Sequence, residues 1–142
     1  MINLSIKKQK KAKIKNKKGN LSMKFYNKEH QNYFNEMSQK KELDVYNKCV
    51  VYLLGLTEET RKNSADIYNI EKGEINIEGL EKAWQTGTTS IICRLAFNLF
   101  NGYCGNMEEE SSRNYTPESI FCRTEFAPYF YEAIKIRFNI ID

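Results

Sequence analysis

Thr88-Thr89-Ser90-Ile91-Ile92-Cys93-Arg94-Leu95-Ala96-Phe97-Asn98-Leu99-Phe100-Asn101-Gly102 decides how the rest of this chain is read. Apolar side chains at 91–93, 95–97, 99 and 100 leave almost no exposed face. The run predicts a helix from Ser90 to Phe100, capped by Thr88 or Thr89 and ended at Gly102 or Gly105. A helix that is apolar nearly all round has to be enclosed by other elements. The expected architecture is therefore an all-α, single compact domain of five or six helices around a buried central helix at about residues 90–100.

The flanking sequence supplies the partners. Asn27 is a good N-cap for a first helix over Lys28–Gln39, with Phe25 or Tyr26 packing at its start. A second helix runs from Leu43 or Asp44 to Leu54 and covers more than one apolar stripe, with Gly55 as the C′ residue. Thr57-Glu58-Glu59-Thr60 reads as a cap and an acidic first turn of a third helix over Glu58–Tyr68. Residues 69–76, with Gly73, read as a loop or tiny hairpin, in which Ile75-Asn76-Ile77 could pair weakly. A short fourth helix is expected over Ile77–Gln85, including Trp84 and ended by Gly87. After a polar, acidic loop at 104–114, Thr116-Pro117-Glu118 opens a short helix to about Cys122. Ala127-Pro128 opens the last one, through Phe138.

At 142 residues with 41% apolar and 28% charged side chains, the chain suits one domain with a real core. No apolar run approaches the roughly 18 residues a membrane span requires. The N-terminus also lacks the apolar stretch of a secretory signal. A cytoplasmic protein is expected. Cys49, Cys93, Cys104 and Cys122 show no C-x-x-C spacing and have a single His to join them, so reduced thiols are expected, with no metal and no cofactor.

Charge is unevenly divided. Residues 1–22 contain Lys7, Lys8, Lys10, Lys11, Lys13, Lys15, Lys17 and Lys18 and no acid. Removing those eight charges from the net +4 leaves −4 for residues 23–142. The chain divides into a basic tail, 1–22, and a helical domain, 23–142. Three readings of the tail are open: a disordered arm that meets nucleic-acid phosphates, a solvated extension, or a start-site artefact. For the last, the codons of Lys18-Gly19 can form a purine-rich ribosome-binding sequence upstream of Met23.

Several motifs carry a resemblance. They are Phe25-Tyr26-Asn27-x-Glu29-His30, Tyr46-x-Lys48-x-x-x-Tyr52-x-Leu54-Gly55-Leu56-Thr57-x-x-Thr60-Arg61, Trp84-Gln85-Thr86-Gly87-Thr88, Arg94-Leu95-Ala96-Phe97-Asn98-Leu99-Phe100-Asn101-Gly102, Tyr115-Thr116-Pro117 and Ala127-Pro128-Tyr129-Phe130-x-Glu132-Ala133-Ile134-Lys135. Together they resemble a family of small domains of unknown function from Firmicutes, clostridia especially, and their phages and mobile elements. The likeness covers residues 23 to about 138. It implies no established activity. The chain departs from that family's pattern at Phe100, where relatives carry Trp, and at Ser90–Ile92, where they are more basic.

Candidate chemistry is sparse. His30, the single histidine, has no companion at metal-ligand spacing and reads as a helix-surface or core-edge residue. Thr86-Gly87-Thr88-Thr89-Ser90 could meet an anion at a helix N-terminus, but it lacks the lysine of a phosphate-binding loop. As a DNA-reading corner it would present apolar residues where polar ones are needed. Arg94 and Asn98 lie one turn apart on the most apolar helix. They are either a structural network, with Glu132 or Glu81 as counter-charge, or part of a pocket with Trp84, Gln85 and Thr88. Tyr115, Tyr129, Tyr131, Phe126 and Phe130 are either core or a recognition platform.

No nucleophile–base pair or paired carboxylates point to an enzyme. The expected function is a non-catalytic binding protein, an accessory of phage or mobile-element origin acting on a host or phage protein, with anti-defence activity as one form. The alternative is a nucleic-acid-binding protein using the tail lysines. The third reading is a small-ligand or anion binder at the Arg94 face.

Overall fold

A computed structural model describes residues 22–122 and 125–141. Six α-helices form a compact all-α arrangement: α1 Lys28–Lys40, α2 Val45–Leu54, α3 Glu58–Lys62, α4 Gly87–Asn101, α5 Pro117–Ile120 and α6 Ala127–Phe138. Three 3-10 turns, Ser64–Asp66, Ile77–Glu81 and Ser112–Tyr115, lie between them. A two-stranded hairpin pairs β1, Tyr68–Asn69, with β2, Glu74–Ile75, in the register Tyr68 opposite Ile75. Gly73 turns the hairpin at φ 65°, a conformation that costs glycine little.

The centre is shared. α4 buries Ile91, Ile92, Cys93, Leu95, Ala96, Phe97 and Leu99, as its pattern requires. α2 is enclosed more completely, with every residue from Cys49 to Leu54 buried. It packs against α4, α6 and α1. Burying the C-terminal end of α2 strands backbone carbonyls that water would otherwise satisfy, and each needs a donor. The chain supplies them from elsewhere. Gly55 N–H donates to Val51, His30 Nε2 to Tyr52, Leu56 N–H to Leu53, Thr60 Oγ1 to Leu54 and Arg61 to Gly55. Gly55 is not a left-handed cap, as its position had suggested. Its φ is −77°, and it is glycine because a Cβ there would lie 2.7 Å from the His30 ring.

Two helices are shorter than their patterns predict. The third stops at Lys62, because Asn63 turns its side-chain amide back onto the Glu59 carbonyl and Tyr68 joins the hairpin. The expected helix over Ile77–Gln85 is a 3-10 turn ending at Glu81. Trp84 lies beyond it, where its indole N–H donates to Asp66 at 2.9 Å. Gly87 does not end that element; it is the first residue of α4. The cap is Thr86, whose hydroxyl accepts from Thr89 N–H while Thr89 Oγ1 accepts from Thr86 N–H. Gly102 ends α4 in the left-handed region at φ 82°, as expected.

Candidate functional site

Gln85 is the hinge pin of the Trp84 corner. Its Nε2 donates to the Gly79 carbonyl at 3.0 Å and reaches Cys93 Sγ at 3.6 Å. Its Oε1 accepts from the hydroxyls of Thr89 at 2.6 Å and Ser90 at 3.3 Å. The amide thus joins the Ile77–Glu81 turn to the first turn of α4. Thr88 sits half-buried in that same first turn. Replacing Gln85 with Ala leaves the Thr89 hydroxyl and Gly79 carbonyl without this partner. The expected loss is about 1–2 kcal/mol in denaturant melts; a melt unchanged from wild type would mean the bridge contributes nothing.

Arg94 and Asn98 point the other way along α4, toward the loop that follows it. Arg94 Nε donates to Glu110 Oε2 at 2.8 Å, and its Nη2 reaches Oε1 of the same carboxylate at 3.4 Å. Glu110 also accepts from Asn114 Nδ2 at 2.7 Å. Asn98 Nδ2 donates to the Tyr103 carbonyl at 3.1 Å. The counter-charge is therefore neither Glu132 nor Glu81. Glu132 lies under the N-terminal segment, accepting from Lys24 N–H, with Lys135 Nζ at 3.4 Å. Glu81 is exposed at the end of its 3-10 turn. Asn106 completes the loop, its Oδ1 accepting from the N–H groups of Glu108, Glu109 and Glu110.

Trp84 and Gln85 thus serve one junction and Arg94 and Asn98 another, and no described hydrogen bond links the two pairs. A small anion would reach Arg94 only in competition with Glu110. Both members of that ion pair are partly exposed, so Arg94→Ala is expected to cost about 1–2 kcal/mol, less than a fully buried pair would. Double-mutant cycles with Glu110→Gln check the coupling; additive losses would dissolve it.

His30 is the residue whose importance the sequence hid. It is wholly buried. Tyr26 N–H donates to its Nδ1 at 3.0 Å, so the ring proton sits on Nε2 and is donated to the Tyr52 carbonyl at 2.7 Å. Phe25 and Tyr52 pack on the ring at centroid distances of 5.1 and 4.5 Å. Burial, opposed by the Tyr52 carbonyl and assisted by nearby Arg61, lowers its pKa to about 4. The neutral ring is a two-ended structural staple between the N-terminal segment and α2.

The aromatic cluster is chiefly core. Tyr26 packs on Phe126 and Tyr129, and Phe130 on Phe121 and Phe126. Tyr131 is exposed. Desolvation pushes the buried Cys49 and Cys93 thiols up to about 12, which holds them protonated. Cys104 and Cys122 are exposed free thiols. Among the described residues no three His, Cys, Asp or Glu side chains are grouped as a metal site. The tail lysines Lys7, Lys8, Lys10, Lys11, Lys13, Lys15, Lys17 and Lys18 lie outside the described residues.

A groove of about 580 Å³ runs between α4, α5 and α6, with Leu95, Leu99, Ile120, Phe121, Ile134 and Phe138 among its walls. Arg137 is the one charged side chain among the described residues that line it. Its Nε donates to the Leu99 carbonyl at 2.7 Å, and its guanidinium lies 4.0 Å from the Tyr46 ring centroid and 4.6 Å from that of Phe138. Arg137 thereby caps the C-terminal end of α4 and closes one side of the groove. No motif foretold this, because Tyr46, Leu99 and Phe138 meet only in the folded chain.

Residues 20–140 match a protein family described as a family of unknown function, DUF6075. The chain belongs to this family. The family's span takes in every helix of the fold, the Trp84 corner, the Arg94–Glu110 pair and the groove. No curated protein and no solved structure is similar enough to match.

Proposed function

We propose that this protein is a non-catalytic binding protein that engages a protein partner through the face around the C-terminal end of α6. The observation that carries this reading is where apolar surface is left uncovered. Of six exposed large hydrophobic side chains among the described residues, Phe138, Ile140 and Ile141 belong to this end of the chain, and Tyr46 flanks it across Arg137. Phe138 also lines the open groove. Exposed apolar side chains grouped at a recess mark protein contact more often than scattered ones do. Of the candidate polar side chains, Trp84, Gln85 and Arg94 are hydrogen-bonded within the fold and do not line the groove, whereas Asn98, bonded to the Tyr103 carbonyl, is among the residues that line it.

In this reading the partner is a host or phage protein, and the chain is a cytoplasmic accessory of a phage or mobile element, with inhibition of a host defence system as one form. No helix among the described residues is long and apolar enough to cross a membrane. Photo-crosslinking from position 138 in cells tests the proposal. One dominant protein adduct is expected, absent when the crosslinker is moved to exposed Glu74; the same adducts from both positions would refute it.

Nucleic-acid binding by the tail is the second reading, favoured by eight lysines without an acid in residues 1–22. It predicts binding that weakens steeply with salt and is lost when those residues are removed. Salt-independent binding, or none, would exclude it.

A further inference from the structure

We infer that, in the absence of its partner, the face around the C-terminal end of α6 is covered by a second copy of this chain, in a two-fold symmetric dimer. The inference rests on reading this face as a protein-docking surface and names one occupant of it.

Self-complementarity is the first argument. A two-fold interface needs one patch that fits itself, so a protrusion and a recess must lie side by side on the same face. Here the protrusion is Phe138 with Ile140 and Ile141, which are 55%, 41% and 80% exposed. The recess is the groove walled by Leu95, Phe121 and Ile134, and Phe138 forms part of its rim. A two-fold axis beside Phe138 sets each copy's protrusion against the other's recess.

Charge is the second argument. The domain carries −4 over residues 23–142, so most approaches of two copies bring like charges together. The groove is the exception. Its single charged lining residue is a cation, bonded to a carbonyl and stacked between two rings, and no described acid lines it. A two-fold contact at this face therefore sets no described groove-lining acid against another, and the domain's acidic charge does not oppose it there.

Area is the third. Tyr46, Phe138, Ile140 and Ile141 together leave on the order of 400 Å² of side chain in water, given roughly 150–250 Å² for each aromatic. A standard interface takes about 800 Å² from each partner, so these four side chains supply about half before the groove walls are counted.

Sedimentation of the full chain over about a hundredfold range of concentration is the test, because self-association follows mass action. Dimers are expected to build up with concentration. Phe138→Asp and, independently, Ile141→Asp are expected to return the protein to monomer without altering the thermal melt of the dilute chain. Met107→Ser, at an exposed loop residue away from the groove, should leave the dimer unchanged. A chain that is monomeric throughout, or a dimer that survives both substitutions, overturns the inference. The outcome separates from that of the docking proposal. A monomer that still crosslinks one partner from position 138 sinks only the dimer, while a dimer broken by Phe138→Asp with no partner adduct sinks only the partner.

Discussion

Acidification from pH 7 to pH 5 is expected to lower the folding stability by about 2 kcal/mol through His30 alone, and to pH 4 by about 3 kcal/mol. In the unfolded chain the imidazole takes its proton near 6.5, whereas in the fold its pKa is about 4. Above 6.5 both states hold a neutral ring, and the stability is complete. Below 6.5 the unfolded chain gains a proton that the folded chain excludes, so stability falls until about pH 4, where the folded ring also titrates. The chain contains no other histidine, and carboxylates bind few protons above pH 5. The slope between 6.5 and 5 therefore isolates this residue. Urea melts at half-unit pH steps measure it. The His30→Gln protein should be less stable at pH 7, since Tyr26 N–H and the Tyr52 carbonyl lose a well-placed partner, but its stability should be flat from 6.5 to 5. A wild-type profile that is equally flat would mean the ring accepts a proton without disturbing the fold.

Gly79→Ala should cost about 3 kcal/mol or more. A Cβ there would stand 2.4 Å from the Asp66 carbonyl oxygen and 2.5 Å from Ile67 Cδ1. The oxygen is backbone, and Asn76 Nδ2 donates to that carbonyl, so it cannot swing aside as a flexible side chain would. Relief would require the Ile77–Glu81 turn to move off the Ser64–Asp66 turn. That movement would strain the Trp84–Asp66 and Gln85–Gly79 bonds together. Gly102 provides the comparison: it sits at φ 82° with nothing within 4 Å of a Cβ, so Gly102→Ala should cost only about 1 kcal/mol of backbone strain. Equal losses at the two positions would show that conformational freedom, not close approach, is what Gly79 supplies.

Read along the chain, Gln85, Arg94 and Asn98 suggest one polar face, because helical spacing aligns 94 with 98. The structure separates them: Gln85 precedes α4 and folds back on the preceding turn, while Arg94 faces the following loop. An ion pair's partner is chosen by which carboxylate the backbone can deliver. Glu110 is delivered by a loop whose turn Asn106 holds through three N–H groups. Spacing along the chain contains no record of that.

What the sequence determined by itself was local. The apolar run at Ile91–Phe100 could be nothing but an enclosed helix. Asn27, Thr57 and Thr116 marked helix starts because a side-chain oxygen beside free N–H groups acts within a few residues. Gly73 and Gly102 marked turns because positive φ is a property of single residues. Tertiary structure decided whatever depended on distant partners. Residues 77–85 had the composition of a helix, but Asp66 and Gly79 hold the indole and amide of Trp84 and Gln85 in another conformation, and a few tertiary hydrogen bonds outweigh propensities of tenths of a kcal/mol per residue. His30 read as peripheral until α2 buried it, since burial is conferred by the elements packed around a side chain. The groove beside Phe138 likewise exists only because α4, α5 and α6 converge, and no stretch of sequence shorter than the whole domain encodes a space between three helices.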